Sequence, residues 1–116
     1  MQNSGRSSKD TSKQKITMLV HTVLFWLKDE LDEAQRAAFL AGLESLQGIA
    51  AAEAVYIGTP AETPARPVID TSYDYCLTVL LADMAAHDAY QVDPLHTGFL
   101  KQFKPAWKSV KIYDAD

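Results

Sequence analysis

At 116 residues the chain has room for one domain with a real core, and multi-domain readings fall away. Hydrophobic residues make up 47% and charged residues 22%, with no apolar run long enough to span a bilayer, so the composition is that of an ordinary globular protein. A net charge of -4 lacks the basic footprint that nucleic acid or an anionic membrane surface would need, which excludes both as expected partners.

The first fifteen residues, Met1 to Lys15, are mostly Ser, Lys, Gln, Gly and Asp and contain no apolar secretory core, so residues 1–15 read as a flexible tail and 16–116 as the folded domain. Cys76 is the single cysteine. That rules out an internal disulfide or a cysteine zinc cluster and fits a reducing cytoplasm, the expected location. From Met18 to Leu27 the residues are apolar on both alternating faces, the pattern of a strand covered on each side. His21 lies among them, on the face of Leu19, Val23, Phe25 and Leu27. A buried imidazole requires a hydrogen-bond partner, so His21 is either a satisfied core histidine or a site residue.

Asp32 is a candidate N-cap. Ala34, Ala37, Ala38, Leu40, Ala41, Leu43 and Leu46 mark an amphipathic helix ending near Gly48, with Phe39 off the main stripe and facing a partner or the rim. Glu53 to Gly58 reads as a short strand. Residues 59–72 carry Pro60, Pro64 and Pro67, and a loop of that length in a small domain is expected to be an arm or a lid. Arg66 within it reads as a solvated tip. Tyr73 to Ala82 is the second long strand, with Cys76 as a small core residue.

Asp83 caps a short helix through Tyr90, with His87 expected to point to water. The stretch Tyr90-Gln91-Val92-Asp93-Pro94-Leu95-His96 then concentrates the groups able to do acid-base chemistry. Asp93 suits an N-cap and Pro94 the first helical position, which puts His96 third in a new helix, where the field of the helix N-terminus disfavours the imidazolium and the Asp93 carboxylate favours it. Tyr90 can meet His96 across the bend, as a general acid and base or as a hydrogen bond pinning two helices together. Leu95, Phe99 and Phe103 form the apolar face of the new helix, Pro105 interrupts it, and Ser109 to Tyr113 is a last strand.

Strand, helix, strand, strand, helical region, strand is the split βαβ order of ferredoxin-like α+β domains with an antiparallel sheet. Helices cover one face of such a sheet. The apolar outer face, with Val20, Leu24, Trp26 and Leu80, then calls for a homodimer, and the inner face bounds an apolar pocket suited to a small molecule.

The strand opening on His21-Thr22-Val23-Leu24-Phe25, the Tyr73-Asp74 pair and the Tyr90 to His96 stretch followed by Phe99 together resemble the stress-responsive A/B barrel (Dabb) domain family of the dimeric α+β barrel superfamily. The resemblance covers Met18 to the C-terminus, with one departure: Asp93 stands where the family usually has a second histidine. It implies a homodimeric α+β barrel. It also implies likeness to plant polyketide cyclases of the olivetolic acid type, which work with a Tyr and a His and without metal or cofactor. By that resemblance His96 is the catalytic base and Tyr90 the hydrogen-bond donor. His21 is then an auxiliary polar group, with Val23, Phe25, Leu40, Leu43, Leu77 and Val79 as walls for a small apolar carbonyl ligand. The competing readings are a non-catalytic stress-response binding or structural protein, and haem or metal binding through His21 or His96, for which the sequence offers no ligand set at metal spacing.

Overall fold

The computed structural model describes residues 18–116; the tail expected over 1–15 lies outside them. Four strands and three helices follow one another as β1 (Leu19–Leu27), α1 (Glu33–Ser45), β2 (Ala52–Gly58), β3 (Tyr75–Leu81), α2 (Met84–Val92), α3 (Pro94–Phe103) and β4 (Trp107–Ala115). The strands form one antiparallel sheet in the order β2-β3-β1-β4. This is the ferredoxin-like arrangement the element order predicts, with the helices on a single face.

Burial alternates strictly along β1: Leu19, His21, Val23, Phe25 and Leu27 are buried, while the residues between them are half-buried. The inner face packs on α1 and α3 through a cluster of rings. Phe25 meets Phe39 edge-on at 5.2 Å between ring centroids, and Phe39 lies 5.7 Å from Phe99 and 5.6 Å from Phe103. Edge-to-face and tilted contacts of this kind add to the area term that drives burial.

Phe39 is fully buried at the centre of this cluster, which corrects the expectation that it faces a rim or partner. α1 is rotated so that Phe39 and Leu43 point inward while Ala34, Ala37, Ala38 and Ala41 are exposed. The reason is area. One phenyl ring removes far more apolar surface from water than several alanine methyls, so the helix turns to the ring. The helix starts on a reciprocal capping box between Asp32 and Gln35 and runs into a 3-10 turn at Leu46–Gly48.

Residues 59–74 form the long irregular connection expected over 59–72, because β3 starts at Tyr75 and not at Tyr73; residues 61–72 are exposed throughout, Arg66 included. Its foot is tied to β1: the Trp26 indole donates to Ser72 Oγ at 3.0 Å, and the Leu27 amide donates to Asp74 Oδ2 at 2.7 Å. Arg36 braces the same corner, donating to the Lys28 carbonyl at 3.0 Å and lying 3.7 Å from Asp74. Cys76 is half-buried on the outer face of the sheet, not in the core. Among the described residues no helix is long and apolar enough to cross a membrane.

Gly42 is the point of closest approach between α1 and α3, because a Cβ there would overlap the ring of Phe103. Gly42→Ala is therefore expected to destabilise by about 1 to 3 kcal/mol despite the better helix propensity of alanine. A urea-denaturation midpoint equal to or above that of the parent chain would contradict this packing.

Candidate functional site

The bend between α2 and α3 turns on one residue. Asp93 has extended backbone, φ -62° and ψ 137°, as the residue before a proline prefers. Its amide N-H donates to the Tyr90 carbonyl at 3.2 Å, closing α2. Its carboxylate accepts from the Leu95 amide at 2.9 Å, opening α3, with Pro94 at the first helical position. Asp93 is thus both a stop and a start signal.

This bend brings the Tyr90 and His96 rings to 4.9 Å between centroids. They share no hydrogen bond. His96 Nδ1 lies 3.1 Å from the backbone carbonyl of Gln91, which can only accept, so Nδ1 carries the proton and Nε2 is left as the basic atom. The Tyr90 side chain is fully buried, and its hydroxyl has no partner among the described residues.

Electrostatics divide the roles. Burial pushes the Tyr90 phenol up to about 12, so at neutral pH it is a hydrogen-bond donor and not an anion. The His96 imidazole is held below its ordinary value, first by burial, with the charges of His21 and His87 adding to the shift; the Gln91 carbonyl and Asp93 oppose it. Between the opposing pulls of the helix terminus and Asp93, the shift is downward, and loss of solvent is its leading cause.

Both groups face a cavity of about 170 Å³ between the sheet and α3. Of the predicted walls, His21, Val23, Phe25 and Leu77 line it. Leu40, Leu43 and Val79 do not: Leu43 and Val79 are sealed in the core and Leu40 is half-buried on α1, which the ring cluster separates from the cavity. Phe99, Leu100, Trp107, Val110 and Ile112 take the place of those three, and Lys104 and Gln91 add polar groups. The Trp107 indole N-H is also buried without a partner among the described residues. Tyr90 and Trp107, each with an orphaned donor, both belong to the lining of an apolar cavity, an arrangement that suits a ligand bringing an acceptor oxygen.

His21 is buried with a satisfied ring nitrogen, and its side chain lines the cavity. Its Nδ1 lies 2.5 Å from Asp114 Oδ1, and register explains why: His21 and Asp114 are direct cross-strand partners on β1 and β4. The expected strand end at Tyr113 hides this, since β4 runs on to Ala115. His87 also departs from its expected place in solvent. It is turned inward, its ring 5.7 Å from that of His21, because it precedes the buried Tyr90 by three residues and shares its helix face. His21, His87 and Asp114 each bring one ligand atom to within 4.8 Å of the others, a ligand set that linear spacing conceals because three separate elements supply it.

A family model described as Stress Responsive A/B Barrel Domain matches residues 19–116. A Dabb family protein with a ferredoxin-like fold from Mesorhizobium loti is 25% identical, with 85% of this chain and 95% of that one covered and a TM-score of 0.69. The hydroxynitrile lyase of Passiflora edulis shares the fold at 20% identity and TM-score 0.74, with 87% and 94% covered. A dimeric ferredoxin-like protein of unknown function from Thermobifida fusca shares it at 17% identity and TM-score 0.70, with 93% and 98% covered. No curated protein matches the chain.

The His96 shift has a sign that can be checked. Because the folded value lies below the ordinary 6.5, the unfolded chain takes up this proton first as pH falls. The stability held by the neutral ring is complete above 6.5 and is lost from there down to the lower folded value. Denaturation midpoints are expected to fall on acidification below 6.5, and His96→Gln to flatten that part of the profile. An equally steep profile in the variant would assign the effect to other groups.

Proposed function

The chain belongs to the stress-responsive A/B barrel domain family, and from that premise we propose that it acts on a small, largely apolar carbonyl compound by acid-base chemistry. The observation that carries this reading is the buried, unpartnered Tyr90 hydroxyl beside a neutral His96 in a cavity with apolar walls. His96 Nε2 removes a proton from the carbon next to the carbonyl, and the electron pair moves onto the carbonyl oxygen. Tyr90, still protonated, donates a hydrogen bond to that oxygen as it gains charge. The enolate then closes a carbon-carbon bond onto a second carbonyl, or the reverse sequence breaks one, and the imidazolium returns its proton. His21 is the auxiliary polar group at the wall. A hydroxynitrile lyase among the structural relatives supports a lyase or cyclase sense for a cavity on this fold.

The functional object is a homodimer. On the outer sheet face the register sets Tyr56, Thr78, Thr22 and Tyr113 in one row across all four strands, with both tyrosines more than half exposed. Val20, Leu24, Trp26 and Leu80 flank that row, half-buried. The arm at 59–74 adds Val68, 77% exposed, and Ile69. A face this apolar is one that association covers. Relatives described as dimeric, from Thermobifida fusca and from Jannaschia, support the same arrangement.

The test is a panel of apolar carbonyl compounds followed by turnover and by histidine resonances. Tyr90→Phe and His96→Gln are each expected to cut turnover of the best compound by about 10² to 10⁴ while light scattering still gives twice the chain mass. Turnover equal to the parent in both variants would leave a binding protein whose Tyr and His are structural.

A further inference from the structure

We propose that His21, His87 and Asp114 form a binding site for a divalent transition-metal ion of the zinc class. The site is independent of the acid-base reading of the cavity, with which it shares only the His21 ring. Three observations converge on it. The three ligand atoms lie within 4.8 Å of one another, although β1, α2 and β4 each supply one residue. Zinc bonds of about 2.0 to 2.2 Å set such atoms roughly 3.4 Å apart in a tetrahedron, so the His21–Asp114 contact at 2.5 Å must open by about an ångström while the widest separation in the set closes by about as much. Asp114 is the member free to move, since its side chain is 43% exposed near the end of β4.

The second observation is the state of His87. Its Nδ1 is 3.2 Å from the Asp88 carboxylate, which fixes the proton on that atom and leaves Nε2 as the lone-pair donor. A carboxylate holding the far nitrogen of an imidazole is the usual outer support of a metal-binding histidine, because it sets the tautomer and raises the basicity of the ligand atom. The third is what the pair of His21 and Asp114 leaves unexplained. That pair satisfies the buried His21 ring by itself, yet a second imidazole is brought edge-on to the same ring at 5.7 Å and bonds only to its own helix neighbour.

The donor set selects the ion. Two neutral imidazoles with one carboxylate suit zinc and its first-row neighbours, whereas calcium and magnesium require oxygen ligands throughout. Three protein ligands leave a fourth position open, as in sites where zinc binds water or a small ligand. The ligands must be free of competing protons, so affinity falls as pH falls.

The full chain, stripped with a chelator, is titrated with Zn²⁺ by calorimetry and with Co²⁺ by visible absorption. We expect one ion per chain and cobalt bands that show nitrogen-oxygen coordination. His87→Ala is expected to weaken Zn²⁺ binding at least tenfold and abolish the bands, and Asp88→Asn, an exposed change that leaves the fold intact, to weaken binding by about 10 to 100-fold. His96→Gln should bind as the parent chain does. The site is overturned if the parent binds neither ion, if affinity stays the same in both His87→Ala and Asp88→Asn, or if His96→Gln abolishes binding.

Discussion

The structure turns on Asp93. One side chain and one amide close the helix that carries Tyr90 and open the helix that carries His96, at 3.2 Å and 2.9 Å. The proline that follows holds the residue extended, so the two helices cannot merge into one. Had they merged, Tyr90 and His96, six residues apart, would point away from each other around a continuous helix. The bend places their rings at 4.9 Å and aims both at the same cavity. The arrangement of the site is set by backbone capping, and the side chains that line it follow.

Burial then makes unlike groups of the two residues. Removal from water favours the neutral form of each, which for the phenol means a proton kept and for the imidazole a lone pair kept. A single environmental cause therefore yields a donor and an acceptor side by side. The Gln91 carbonyl settles which nitrogen is which, because it takes the Nδ1 proton and leaves Nε2 to the cavity side of the chemistry. The β1–β4 register brings His21 a carboxylate partner and gives its ring a fixed place in the wall.

Much of this was legible from residue order. Alternation over Leu19 to Leu27 announced a strand with an inward face, and Asp93-Pro94 announced the bend, because each rests on a local rule that tertiary context did not override. The places that were not legible share a cause. Phe39 hides behind a run of alanines that mimics an apolar stripe, and Leu43 and Val79, walls by the resemblance, lie sealed in the core. His87 reads as a solvent residue because it is a polar side chain beside Asp88 on a short helix, and only its spacing from Tyr90 gives it away. Asp114 depended on where the last strand stops, and strand ends are poorly marked when the final residues are all exposed.

Among the described residues the strand order leaves β2 and β4 at the two rims of the sheet, and an edge strand presents a row of backbone donors and acceptors able to recruit another strand. β4 is the longer, nine residues against seven, and it carries Lys108, Lys111 and Asp114 along its length. Charges spaced in this way oppose an identical strand laid alongside, since burying them against a second copy costs more than the added backbone bonds return. β2 is shorter and ends at Gly58, before the proline-rich arm begins. Both edges are therefore poor templates for cross-β growth, and the apolar rows lie on the sheet's flat face, where contact with another molecule does not propagate strand by strand.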